Sequence, residues 1–215
     1  MSDWSALPGR TNRRTTRRRA AVPVRRAVLA TGAAAAALAL TACGSGGTSG
    51  GSADTKFVAG TGGIDTAERG DRQPLPAITG TTIDGKKLDL SDYQGKVLVL
   101  NVWGSWCPPC RAEMPHLVKV AKDTKADGVE FVGINTRDSS KPPAQKFEKE
   151  FAVPYPSLYD PMGKLMLRFP AGSLNPKAIP STVIVDREGR IAARALKALG
   201  EDELRKTLEP LIAEK

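Results

Sequence analysis

Two near-continuous apolar runs in the middle of the chain, each followed by a helical pattern, predict the core of the fold. The runs 97–103 and 129–135 have the unbroken hydrophobicity of strands that are covered on both faces. The segments after them, 111–125 and 143–151, are expected to be helices. Shorter strand-like pieces are expected at 88–90 and 157–159.

The C-terminal third predicts a hairpin and a closing helix. Two apolar strands, 182–185 and 191–195, flank the turn sequence 186–189. A final amphipathic helix is expected over 200–213. Between 159 and 182 the pattern predicts a short helix at 161–168 and then a loop rich in proline and glycine. Alternating strands and helices that end in a hairpin predict an α/β sandwich around a mixed sheet.

The N-terminus has the pattern of an export signal. Residues 1–42 contain eight arginines, no lysine and one acid, and they end in an uncharged apolar stretch, 27–42. That stretch of 16 residues is shorter than the roughly 20 that a spanning helix needs. A basic region, a short apolar region and small residues before a cut site are typical of a signal peptide. The alternative is an uncleaved signal anchor.

The sequence Leu40-Thr41-Ala42-Cys43 resembles the lipobox of bacterial lipoproteins. The resemblance implies that Cys43 is lipidated and becomes the first residue of the mature protein, anchored at the outer face of the cytoplasmic membrane. The Gly/Ser-rich composition after Cys43 predicts a flexible tether over 43–72, followed by a folded domain over 73–215. Arg25-Arg26 weakly resembles a twin-arginine signal, so the export route stays open.

The net charge of +9 is concentrated in the same N-terminal segment. The remaining chain has 24 basic and 22 acidic residues, so the predicted domain is nearly neutral. A domain with that balance has no general attraction to nucleic acid. The basic character therefore belongs to targeting, and nucleic-acid binding is excluded as a function.

The strongest chemical motif is Cys107-Pro108-Pro109-Cys110, which lies between a predicted strand and a predicted helix. This spacing brings both sulfurs together on the first helical turn, which is typical of a redox-active pair. We expect Cys107 to be the accessible attacking thiol, because a helix N-terminus favours its thiolate, and Cys110 to resolve the mixed disulfide. With Cys43 lipidated, no further cysteine is left for a structural disulfide or a Cys-rich zinc site.

The run from Trp106 to Cys110 after a buried strand, and Ile179-Pro180-Ser181-Thr182 before the hairpin, resemble the thioredoxin superfamily. Together with the lipobox and the stretch 101–106, they are similar to the membrane-tethered TlpA/ResA/CcmG-type oxidoreductases. The resemblance implies a thioredoxin-like sandwich from about Gln73 onwards. It also implies that the Cys107–Cys110 pair is the only redox group, without a further cofactor or metal.

The same resemblance implies roles for several neighbours of the cysteines. Ile179–Pro180 is expected to be a cis peptide beside the disulfide, where the Ile179 backbone pairs with an extended partner segment. Trp106 and the two prolines are expected to contact that partner. Glu113 is expected to tune the protonation of the cysteines, and the alternative is a solvated residue on the helix surface. Asn101 stands where thioredoxins proper have a buried aspartate.

The function implied is a thiol–disulfide oxidoreductase that reduces protein disulfides, such as those of apocytochrome c, with electrons from a membrane thiol carrier. A disulfide-forming oxidant is the enzymatic alternative, since the direction depends on the reduction potential. A peroxidase is disfavoured because Gly104 stands where those enzymes usually have threonine or serine. A copper-handling lipoprotein is the non-enzymatic alternative, with His116 as the single histidine.

Overall fold

A mixed β-sheet and three α-helices make up the described part of the chain, which in this computed structural model is residues 56–214. The strands in this range are β1 (Val58–Ala59), β2 (Ile64–Thr66), β3 (Gln73–Pro74), β4 (Thr79–Thr81), β5 (Lys87–Asp89), β6 (Val97–Trp103), β7 (Val129–Thr136), β8 (Ser157–Asp160), β9 (Ser181–Val185) and β10 (Arg190–Ala195). The helices are α1 (Pro108–Asp123), α2 (Lys141–Phe151) and α3 (Glu201–Ala213).

The central sheet has the strand order β1-β2-β10-β9-β6-β7-β8, and β3 also pairs with β10. Strands β6, β7 and β8 are parallel, whereas β9 runs antiparallel to both β6 and β10. All seven residues of β6 are buried, as its continuous hydrophobicity predicts. The predicted α/β sandwich around a mixed sheet is therefore confirmed.

Both faces of the sheet are covered, one by the three helices and the other by a hairpin and a loop segment. The buried side chains of α1, α2 and α3 pack together on one face. The other face is covered by residues around the β4–β5 hairpin and by the segment between β8 and β9, including Met166, Phe169 and Leu174. The carboxyl ends of the parallel strands meet at one edge of the sheet, and the loops at this edge carry the site described below.

Helices α1 and α2 begin slightly earlier than the pattern predicts. The expected starts are 111 and 143, whereas the observed helices begin at Pro108 and Lys141. Both helices carry prolines in the first turn, where a missing N–H costs nothing and the fixed φ suits the helix. The prolines therefore open these helices.

The predicted helix at 161–168 is wrong except for a single 3₁₀ turn at Met166–Arg168. The carboxylate of Asp160 accepts hydrogen bonds from the backbone N–H groups of Lys164 and Leu165, at 2.8 Å each. Gly163 in the same turn has a φ of 68°. These contacts satisfy the backbone N–H groups in a turn conformation. The turn therefore competes with the helical conformation that the pattern predicts.

The folded part begins before Gln73, within the segment that the composition predicts to be a tether. β1 pairs with β2, and β2 pairs with β10, so residues from 58 onwards extend the sheet. Ile64 and Ala67 are buried. Arg72 is also buried, and its guanidinium binds Asp186 and Glu214 at 2.6–2.9 Å. Backbone pairing and this ion-pair cluster hold the segment, and neither of them requires the segment to be rich in apolar residues.

Candidate active site

Cys107 and Cys110 form a disulfide at the junction of β6 and α1. Cys107 is the N-cap residue of α1, with an extended backbone, and the first two helical residues are Pro108 and Pro109. Both prolines are exposed at the surface. Neither has an N–H, and the backbone N–H of Cys110 points at the Cys107 Sγ with an N···S distance of 3.2 Å. One backbone donor and the positive end of the helix therefore face this sulfur.

The loop before β9, residues 169–180, lies against the same sulfur, and we refer to it as the proline loop. The Ile179–Pro180 peptide bond is cis. The Ile179 carbonyl oxygen lies 3.8 Å from the Cys107 Sγ, and Pro180 is buried. In the disulfide form Cys107 exposes 2% of its surface. Ile179, whose carbonyl lies beside this sulfur, is half-buried.

Trp106 is the large exposed side chain next to the disulfide, with 49% of its surface accessible. Its indole lies over Gly104, because a Cβ added to Gly104 would come within 2.9 Å of the Trp106 Nε1 and 3.2 Å of the Thr136 carbonyl oxygen. Trp103, by contrast, is fully buried and stacks on Phe147 with a centroid distance of 4.4 Å. The structure thus leaves Trp106 available for contact with a partner and Trp103 for packing.

Glu113 lies inside the protein with 1% of its surface exposed, which excludes the solvated-residue alternative. Its Oε1 accepts a hydrogen bond from the Asn101 Nδ2 at 2.8 Å, and its Oε2 accepts one from the Leu199 N–H at 2.9 Å. Burial raises the pKa of Glu113 to about 7, although both hydrogen bonds act in the opposite direction. A carboxyl with this pKa changes its charge near neutral pH.

Asn101 connects Glu113 to the proline loop. Its Nδ2 also donates to the Thr182 Oγ1 at 3.1 Å, and Thr182 follows Pro180 by two residues. The Asn101 Oδ1 is buried and has no hydrogen-bond partner among the described residues. Rotation of this amide would therefore offer Glu113 an acceptor in place of a donor.

Arg137 and Asp138, which belong to no recognised motif in the sequence, hold both loops of the site. Asp138 is buried, and its carboxylate accepts hydrogen bonds from the Ser105 N–H at 2.9 Å, the Ser105 hydroxyl at 2.5 Å and the Asn135 Nδ2 at 2.6 Å. Arg137 has a φ of 58° and donates to the Pro176 carbonyl of the proline loop. Both residues belong to a polar run directly after a buried parallel strand, and this position is the sequence feature that could have identified them.

Potential metal ligands cluster elsewhere. Within residues 56–214, a group of three such side chains whose ligand atoms lie within 4.8 Å of one another is formed by Asp186, Glu188 and Glu214. The Arg72 guanidinium already binds two of these carboxylates. His116 is exposed on α1.

Cys43, the predicted lipidation site, lies outside the described residues. Among residues 56–214, no helix combines the length and the apolar content that crossing a membrane requires.

The chain resembles known redox proteins over most of its described length. The family model described as Redoxin matches residues 69–209. The thiol:disulfide interchange protein HelX of Rhodobacter capsulatus is 34% identical over 149 residues, which cover 69% of this chain and 79% of that protein. The thiol-disulfide oxidoreductase ResA of Geobacillus kaustophilus is 29% identical over 136 residues, which cover 63% of this chain and 75% of ResA.

Solved structures show the same fold. A DsbF homologue from Corynebacterium diphtheriae has a TM-score of 0.64 and 35% identity, and the match covers 72% of this chain and 96% of that one. A secreted thiol-disulfide isomerase from Corynebacterium glutamicum has a TM-score of 0.66 and 33% identity, with coverages of 74% and 98%.

A Cys-x-x-Cys disulfide at the start of a helix, with a cis-proline loop against it, defines a thiol–disulfide oxidoreductase with a thioredoxin-like fold. Within that class, the chain belongs to the redoxin family and is of the TlpA/ResA/CcmG type. The predicted TlpA/ResA/CcmG-type family and the predicted enzyme class are both confirmed.

Proposed function

We propose that this protein reduces disulfide bonds in other proteins outside the cytoplasmic membrane. The observation that supports the reductive direction is the small number of hydrogen-bond donors around the Cys107 sulfur. A disulfide becomes a strong oxidant when its reduced form is stabilised by contacts to the thiolate. Here Pro108 and Pro109 supply no N–H, and the Cys110 N–H is the backbone donor at 3.2 Å. A thiolate that is stabilised only by this donor and the helix N-terminus, and so only moderately, favours the disulfide form and makes the dithiol a reductant.

The reaction proceeds in two exchange steps. The Cys107 thiolate attacks one sulfur of the partner disulfide, forms a mixed disulfide, and releases the other partner sulfur as a thiolate that takes up a proton. Cys110 then loses its proton and attacks the Cys107 Sγ, which releases the second partner thiol and forms the Cys107–Cys110 disulfide. Two electrons pass to the partner, and a membrane thiol carrier restores the dithiol.

Glu113 and Ile179 support these steps in the proposal. A neutral Glu113 carboxyl adds no negative charge one helical turn after Cys110, whereas its carboxylate opposes formation of a second anion on this helix. The Ile179 carbonyl, beside the Cys107 Sγ, accepts a hydrogen bond from the backbone of an extended partner segment. Trp106, Pro108 and Pro109 form the exposed surface that this segment contacts.

The location and the partner are part of the same proposal. The N-terminal export pattern supports secretion, and Cys43 in its lipobox-like setting supports a lipid anchor at the outer membrane face. The solved relative from C. glutamicum is described as secreted. By the resemblance of its motifs to TlpA/ResA/CcmG-type oxidoreductases, we propose apocytochrome c before haem attachment as a substrate.

The reduction potential of the Cys107–Cys110 pair tests the direction. Equilibration with glutathione redox buffers, in a Cys43→Ser variant that removes the third thiol, is expected to give a value below about −200 mV, in the range of reducing thioredoxin folds. A value near −120 mV, which is roughly that of the strongest oxidants, would contradict the reductive role and favour the disulfide-forming alternative.

A further inference from the structure

Four cationic side chains lie on segments at the end of the sheet where the cysteine pair also lies. They are Arg137 at the end of β7, Lys141 at the start of α2, Lys164 after β8 and Lys177 in the proline loop. We refer to these four residues as the basic rim. All four belong to segments at the edge of the sheet where the parallel strands end, which is also where β6 leads into Cys107.

Hydrogen bonds and ring contacts connect the rim to the active-site loops. The Arg137 guanidinium donates to the Pro176 carbonyl, next to Lys177. The Lys141 Nζ lies 5.6 Å from the centre of the Tyr159 ring. The Tyr159 hydroxyl in turn donates to the carbonyl of Asp138, the residue that holds the loop before Cys107.

Lys164 belongs to the same edge through its own backbone. Its N–H binds the Asp160 carboxylate at the end of β8. A Cβ on the preceding Gly163 would lie 3.6 Å from the Thr136 hydroxyl, at the end of β7. The turn that carries Lys164 therefore lies next to the end of β7, which Arg137 directly follows.

The rim cations are not neutralised by exposed acids. Within residues 56–214, none of the four forms a salt bridge. The acids at the ends of β7 and β8 are Asp138 and Asp160, and both are buried and accept hydrogen bonds from neighbouring backbone. The first turn of α3, after the loop that carries Leu196, is acidic: Glu201 and Glu203 pair with Lys119 and Lys197, and Asp202 is exposed. By contrast, Arg111, which directly follows Cys110, is paired with Glu150. The exposed charges on the loops after β7 and β8 and on the loop before β9 are therefore positive.

Exposed apolar side chains accompany these cations. Three large apolar residues with more than 40% of their surface exposed lie on the edge loops, namely Trp106 (49%), Met162 (76%) and Leu196 (41%). Aromatic and methionine side chains are enriched in protein–protein interfaces, and a charged rim around them is typical of such surfaces. The edge thus has the composition of a docking surface for a polypeptide.

We propose that the basic rim binds acidic side chains that flank the reacting cysteines of the partner protein. This inference rests on the proposed function and names the chemistry of the substrate. A polypeptide partner is favoured over a lipid surface because the reaction requires a cysteine of the partner to reach the Cys107 Sγ. The Ile179 carbonyl also offers the backbone of such a partner a hydrogen-bond acceptor. Complementary charges around this contact raise the rate of encounter and orient the segment.

Three peptides with the same internal disulfide test the inference, with the cysteines flanked by glutamate, glutamine or lysine. The reduced full chain is mixed with each peptide, and loss of the peptide disulfide is followed by mass spectrometry. At low salt we expect the glutamate peptide to react about tenfold faster than the glutamine peptide, and the lysine peptide more slowly than either. At about 0.5 M salt this difference should largely disappear.

Variants assign the effect to the rim. Lys164→Gln with Lys177→Gln is expected to reduce the glutamate-to-glutamine rate ratio to about threefold or less. The matched control, Lys122→Gln with Lys206→Gln, removes the same charge from positions on α1 and α3 outside the edge loops. This control should keep the ratio of the wild type.

Equal rates for the three peptides would overturn the inference and leave the reductive function standing. If no peptide is reduced, the proposed function fails. In that case the glutamate-to-glutamine rate ratio is measured for oxidation of the reduced peptides by the protein in its disulfide form. Equal oxidation rates for the peptides again overturn the inference. Vesicles of phosphatidylglycerol and phosphatidylcholine provide the last arm. If the rim variant loses vesicle binding while the peptide ratio is one, the rim faces lipid and the inference is wrong.

Discussion

Replacing Cys110 with serine is expected to leave partner proteins covalently attached to Cys107. The Cys107 thiolate still attacks the partner disulfide, but no second thiol is present to release the product, so the mixed disulfide accumulates. Turnover should fall by at least about 10³-fold, as is common when one member of a catalytic pair is removed. Non-reducing gel electrophoresis followed by mass spectrometry of the attached peptides measures both the amount and the site of attachment.

The Cys107→Ser variant is the matched control for this experiment. It keeps one active-site thiol at nearly the same place but removes the sulfur at the helix N-cap. We expect it to lose turnover to the same extent and to capture no partner. Equal capture by the two variants would contradict the assignment of Cys107 as the attacking residue.

The Glu113→Gln variant is expected to change how stability depends on pH. The native pKa of Glu113 is about 7, above its ordinary value of 4.5. Between these two pH values the folded protein holds a proton that the unfolded chain has released, so the free energy of unfolding falls as the pH rises. Titration of Glu113 alone lowers the free energy of unfolding by about 3 kcal/mol between these two pH values. The Glu113→Gln variant does not titrate at this position and therefore does not show this decrease.

The expected result is a variant that is similar to the wild type below pH 4.5 and more stable than it at pH 8. Glutamine can still accept from the Leu199 N–H, and its amide can donate to the Asn101 Oδ1 once that side chain rotates. Urea unfolding of the disulfide form at several pH values measures the difference. A difference between variant and wild type that does not change with pH would show that Glu113 titrates normally.

A second glutamate provides a control of opposite sign. The ion pair with Lys197 and the hydrogen bond from the Gly200 N–H lower the pKa of Glu203. Its stabilising contribution is therefore present at neutral pH and is lost as the pH falls through its lowered native pKa. Glu203→Gln should accordingly destabilise the protein at pH 8 and have less effect in acid.

The core of the fold was predictable because its signals are local and strong. Strands β6 and β7 are continuous apolar runs, and the turn between β9 and β10 contains glycine between two apolar segments. The short strands β1 and β2 were not predicted. They are held by backbone pairing with β10 and, just after them, by the Arg72 ion pairs, and both depend on residues more than 100 positions away.

The site was predictable where one short motif contains the chemistry. The Cys107–Cys110 pair and the cis peptide before Pro180 follow from strings of a few residues, and the structure places them in contact. The burial of Glu113 was not determined by its position on α1, because it depends on Asn101 and Leu199 from other elements. The role of Asp138 likewise requires knowing that β7 ends beside the loop before Cys107.

The Cys107 thiol is the group on which the proposed chemistry depends, and its reactivity in the reduced protein is the most direct measurement. The protein is reduced and alkylated with iodoacetamide over pH 4 to 10 in a Cys43→Ser background, and each cysteine is followed by mass spectrometry. We predict that Cys107 reacts first, with a midpoint at least about one pH unit below the roughly 8.5 of a free cysteine. A midpoint of Cys107 equal to that of free cysteine, or faster modification of Cys110, would contradict the account.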